Sequence, residues 1–157
     1  MEYSTPGNVY QQVEISTSNK LQLVVMLYDG ALRSLNLAKG SIGSRDLVGK
    51  AQNLDRVLAI IGELQNTLNI EEGGEISFQL DRLYTYMAER VLEASSKLEV
   101  QPLDEVIKLL RILQSAWNEV ARKEQRAGAN AQAEGKSLAP SSAPASSGSR
   151  QAMELYG

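Results

Sequence analysis

Residues 20–38 read KLQLVVMLYDGALRSLNLA, and the apolar side chains recur at Leu21, Val24, Tyr28, Ala31, Leu35 and Ala38. The steps alternate between three and four, the period at which side chains return to one face of an α-helix. Ser16, Thr17, Ser18 and Asn19 stand just upstream, with oxygens able to accept the free N–H groups of a first turn. The stretch therefore predicts a helix from about Lys20 to Gly40, ended by the break Gly40-Ser41-Ile42-Gly43.

The same period continues outward from there. A second helix is expected from about Asp46 to Asn69, with Leu47, Ala51, Leu54, Leu58, Ile61 and Leu68 inward, and Val57 and Leu64 widening the stripe. Ser44 is the expected cap, and Asp46 in the first turn suits the helix dipole. Glu71–Gly74 reads as a turn, because the paired glycines can take positive φ without steric cost. A third helix then runs from about Glu75 to Leu98 on Leu80, Leu83, Tyr84, Met87, Val91, Ala94 and Leu98. The fourth begins near Pro102, a residue suited to a first turn, and carries Leu103, Val106, Leu110, Leu113, Trp117 and Val120. No segment alternates with period two, which argues against strands. Similar lengths and short turns favour an all-α fold, an antiparallel up-down four-helix bundle over residues 20–125.

The flanks differ. Residues 1–19 are irregular yet contain Tyr3, Val9, Tyr10, Val13 and Ile15, too apolar for a free tail, and are expected to lie over the bundle as a cap. Residues 126–157 shift to Ala, Ser, Gly and Pro, a composition that cannot bury enough apolar surface to offset ordering entropy and predicts a disordered tail. Met153, Glu154, Leu155 and Tyr156 form a short amphipathic patch at its end, capable of weak docking.

Composition narrows the chemistry. The 157 residues are 43% hydrophobic and carry a net charge of −3, which gives no global basic field for nucleic acid or an anionic membrane. There is no cysteine, hence no disulfide or thiolate, and no histidine, the commonest general base and transition-metal ligand. A di-metal carboxylate bundle needs Glu-x-x-His pairs and so is excluded. Gly73-Gly74 follows a helix and lacks the Lys-Ser/Thr of a phosphate loop. Asp29, Glu63 and Glu89 read as a solvated face or local ion pairs. No catalytic residue, cofactor or metal site is expected. The N-terminus lacks a signal peptide's basic start and apolar stretch, and no apolar run is long enough to span a bilayer; a cytoplasmic location is expected.

The informative feature is surplus hydrophobicity. Beyond its inner stripe the first helix carries Leu23 and Leu27 with Gly30, and the fourth carries Leu109, Ile112 and Ala116. One stripe about 100° wide suffices for a bundle helix. Extra lines either pack beneath the N-terminal segment or form a groove for an amphipathic partner helix. Tyr84 and Tyr86 are two residues apart and cannot share a face, so one of them is a candidate contact.

Several strings also resemble a known family. Met26-Leu27-Tyr28-Asp29-Gly30-Ala31 resembles the first-helix signature of FliS-type flagellar secretion chaperones. Gly73-Gly74-Glu75-Ile76-Ser77, leading to Leu83-Tyr84-Thr85-Tyr86-Met87 and Arg90, is similar to their third-helix signature. Glu105-Val106, Ala116-Trp117 and Tyr10 followed by Val13 match further motifs in order and spacing over roughly residues 3 to 124. The resemblance implies a chaperone that binds the C-terminal helical region of flagellin and prevents premature polymerisation, with the segment around Tyr10 covering the binding surface when flagellin is absent. It leaves room for export-apparatus components as further partners and for a homodimer. Joined with the surplus apolar lines, it marks Tyr10, Val13, Leu23, Leu27, Tyr28, Leu109 and Ile112 as cap or groove residues. The alternative from another class is an adaptor bundle that homodimerises through the same lines.

Overall fold

Four helices make up the described residues, 17–137, of the computed structural model: α1 (Thr17–Ser44), α2 (Leu47–Thr67), α3 (Ile70–Lys97) and α4 (Gln101–Ser137). Tyr10, Val13 and the Met153–Tyr156 patch lie outside the described residues.

In α1 all six positions of the predicted inner stripe are buried. The helix does not break at Gly40-Ser41-Ile42-Gly43 but continues to Ser44. Glycine weakens a helix interior by only about 1 kcal/mol, and Ile42 packs against the core there. The helix stops at Arg45, whose φ of 60° is left-handed, and the Asp46 N–H returns to the Ser41 carbonyl at 2.8 Å. Asp46, rather than Ser44, then caps α2, its Oδ1 accepting from the Gly49 N–H at 3.0 Å.

The inward face of α2 starts later along the helix than expected. Leu54, Val57, Ile61 and Leu64 are buried, whereas Leu47 and Ala51 are exposed. The glycine turn before α3 takes the form of a kink: Gly74 has φ 58° and ψ −133° inside an otherwise helical run. Asn69 organises it. Its side chain accepts from the Glu72 N–H at 3.1 Å, and its carbonyl takes the Gly73 N–H at 2.8 Å and the Ser77 hydroxyl at 3.1 Å. The main run of α3 therefore starts at Glu75, as predicted. In the fourth helix the difference is one of length. α4 runs past the expected boundary at 125 to Ser137. Alanine, glutamine and lysine favour helix, and each residue added to a nucleated helix gains one bond for one residue fixed.

α1 packs on α2 and α4, and α3 packs on the same two, closing a ring. Gly30 lies against Ile60 and Gly49 against Ser41. Gln65 donates to Asp81 at 3.1 Å and Lys50 to the Ser95 carbonyl at 3.1 Å. Gln114 donates to Asp29 at 2.7 Å, and Lys39 pairs with Asp104 at 2.6 Å. In each pair one number rises as the other falls, which is consistent with the up-down order. The core comprises Leu21, Leu35, Leu54, Ile61, Met87, Leu103 and Leu110 with their neighbours.

Gly74→Ala should lower stability by about 1–3 kcal/mol in urea unfolding while far-UV circular dichroism is retained. Nothing lies within 4 Å of where a Cβ would stand, so backbone conformation alone sets the loss.

Candidate functional site

The inward-facing tyrosines decide which side chains remain for the surface. Tyr28 and Tyr84 are fully buried, and their hydroxyls hydrogen-bond to each other. The Trp117 indole N–H donates to the Tyr28 hydroxyl at 3.0 Å. One polar knot thus joins α1, α3 and α4. Tyr28, also named above among the cap or groove residues, is enclosed in this knot on the inner stripe of α1. Tyr84 faces in and Tyr86 out, at 41% exposure, as their spacing requires.

The surplus apolar lines are present on the outside but do not form one groove. Leu23 is 48% exposed and Leu27 is partly buried against the core. Both lie on the Gly30 side of α1, the side that meets Ile60 of α2. On α4, Ile112 is 59% exposed and Leu109 partly buried. One turn before Leu109, Glu105 faces α3, where it is bonded to Tyr86 and Arg90. The α1 line therefore follows the α1/α2 seam, whereas the α4 line runs from the α3/α4 seam at Leu109 to Ile112, which also edges the depression between α1 and α4. Two further members escaped the sequence reading. Met26 and Leu37 are 65% and 52% exposed, and with Leu23 they fall within about 60° of one helix face. The signal was available as steps of three and eleven residues, masked because the inner stripe accounts for the helix without them.

Beside the α4 line sits a charged clasp. Glu105 accepts from Tyr86 at 2.9 Å and from Arg90 Nε at 2.6 Å, while Arg90 Nη1 reaches Glu93 at 2.8 Å. The bond from Tyr86, and then that from Arg90, hold the Glu105 carboxyl below its ordinary range. The same bond to Glu105 raises the Tyr86 hydroxyl above its ordinary value. Among the described residues no cluster of three or more carboxylates forms that could hold a metal ion, and no helix is long and apolar enough to cross a membrane. What this surface offers is apolar contact flanked by fixed charges.

Tyr84→Phe, which removes the Tyr28–Tyr84 hydrogen bond and leaves the one from Trp117, should cost about 1 kcal/mol in denaturant unfolding. A carboxyl with a depressed folded pKa contributes stability that is present above its unfolded pKa, about 4.3, and lost as pH falls through the folded value. Glu105→Gln should accordingly flatten the acid limb of thermal melts recorded below about pH 4.5, relative to the unsubstituted protein.

Comparison with known proteins points the same way. The family described as Flagellar protein FliS matches residues 3–124. The flagellar secretion chaperone FliSB of Pseudomonas aeruginosa is 35% identical over 116 residues, 71% of this chain and 92% of that protein. The flagellar secretion chaperone FliS of Salmonella typhimurium is 34% identical over 127 residues, 77% of this chain and 94% of its own. That of Bacillus subtilis is 32% identical over 126 residues, 80% and 93% of the two chains. With the match spanning residues 3–124 and these relatives covered almost end to end, this chain belongs to the FliS family of flagellar proteins.

Proposed function

We propose that this chain is a cytoplasmic export chaperone that binds the C-terminal helical region of flagellin, keeps it from polymerising early and assists its delivery to the flagellar secretion apparatus. It acts by binding and catalyses nothing. The family and the names of its relatives support the chaperone role in flagellar export. The observation that supports the mode of binding is the pair of exposed apolar lines, Leu23 with Met26 and Leu37 on one side and Ile112 on the other. A single straight helix cannot cover both. An extended partner that wraps the bundle can, burying more than a standard interface of about 1,600 Å². Ordering such a partner consumes part of the interaction energy, so affinity stays moderate for the area and release at the export gate remains feasible. In this reading Tyr10 and Val13 belong to a segment that covers one line until flagellin displaces it, and Leu27 and Leu109 form the floor beneath the exposed residues.

The test uses calorimetry with a C-terminal flagellin segment. Leu23→Asp and Ile112→Asp should each weaken binding by about tenfold, the scale of one buried contact residue, and their combination should abolish it while helical content persists. Unchanged affinity in both single variants would sink the proposal. A tight homodimer in sedimentation that ignores flagellin would instead support an adaptor bundle pairing through these lines.

A further inference from the structure

The third seam of the ring, between α1 and α4, shares Ile112 with the α4 surplus line and forms a depression of about 350 Å³, lined by Asn36, Lys39, Asp104, Lys108, Arg111 and the two isoleucines 107 and 112. Its charge is opposite to that of the chain. Three cations face one carboxylate, in a protein of net charge −3.

The cations are also unequally compensated. Lys39 holds Asp104 at 2.6 Å. Lys108 has two acidic neighbours at helical spacing, Asp104 and Glu105, and both are engaged, the first by Lys39 and the second by Tyr86 and Arg90. Arg111 has Ile107, Lys108, Gln114 and Ser115 at those spacings, none of them acidic. Neither Lys108 nor Arg111 makes an ion pair among the described residues. Beside them Ile107 is buried and Ile112 stands out at 59% exposure, so the depression has an apolar wall next to two uncompensated charges.

We infer that the α1/α4 seam is a second docking site, adjoining the proposed flagellin surface at Ile112 and distinguished from it by Lys108 and Arg111, for an acidic amphipathic helix of a partner protein. A groove between two packed helices accepts the ridge of a third. An apolar residue of that helix would rest on Ile107 and Ile112, and carboxylates a turn apart would meet Lys108 and Arg111. Nucleic acid fits less well, because Asp104 lies within the groove and no aromatic there offers a base a stacking face. Fixed opposite charges on a groove of this kind set partner choice and speed encounter more than they raise affinity.

The test titrates the full chain with a fluorescent amphipathic helical peptide bearing glutamates beside a leucine stripe, and with its counterpart bearing lysines in their place, read by anisotropy. The glutamate peptide should bind and the lysine peptide should not. Lys108→Glu with Arg111→Glu should weaken that binding by about tenfold or more and leave affinity for the flagellin segment unchanged. The neutral pair Lys108→Gln with Arg111→Gln gives an intermediate loss and serves should the reversal perturb folding. Equal binding of both peptides, or an unaltered affinity in both variants, would refute the site. Competition by a single-stranded oligonucleotide at matching concentration would overturn the assignment to protein, and loss of flagellin binding in the variants would overturn the assignment of Lys108 and Arg111 to a second partner. Because the flagellin segment is measured in parallel, failure of the flagellin proposal is recorded apart from failure of this one.

Discussion

Three helices meet at the hydroxyl of Tyr28, which is bonded to Tyr84 of α3 and takes the indole N–H of Trp117 from α4. Each such bond adds only about 1 kcal/mol net, but leaving one of these buried groups unpaired costs about 1–3 kcal/mol. The knot therefore matters less for how stable the bundle is than for which bundle forms. Rotating α1, α3 or α4 by one residue, about 100°, would move its aromatic ring out of the knot and break at least one of these bonds. Aliphatic contacts among Leu35, Met87, Val106 and Leu110 tolerate small slips far more readily.

That rotational setting is what creates the outer surface. With Tyr28 held inward, Leu23, Met26 and Leu37 must face out, and with Trp117 inward, so must Ile112. The exposed apolar side chains are thus the geometric complement of a satisfied core, and the core gains nothing by hiding them. Their division between separate faces leaves no single cleft among the described residues that holds both. The clasp of Tyr86, Arg90 and Glu105 ties α3 to α4 beside one of these lines, so the spacing of that seam is held by bonds outside the core.

The helix ends show a different economy of means. Arg45 and Leu98 both adopt left-handed backbone, an unusual state for residues with a Cβ, and each is followed by an N–H that reaches back five residues, Asp46 to Ser41 and Glu99 to Ala94. Both connections are thereby closed without glycine, while the glycines at 40 and 43 lie within α1. Gly74 is the glycine whose positive φ the fold uses, and Ser77 and Asn69 brace the kink it makes.

The periodicity of the chain determined a great deal unaided. Four helices, the complete inner stripe of α1, most of the stripes of α3 and α4, the start of the main α3 run after Gly74 and the family were all legible, because burial repeats with the helical turn and motifs keep their spacing. Helix ends were less so: the stop at Arg45, the Asp46 cap and the extension of α4 through 126–137 depend on backbone hydrogen bonds that residue identity signals weakly. Only the tertiary structure decided that Tyr28 has no exposed part, that α2 leaves Leu47 and Ala51 outside its buried face, and that the two surplus lines do not meet in one groove. The reason is physical. A helical pattern states which residues share a face, but which neighbour that face meets is set by the joint packing of all four helices around one polar knot.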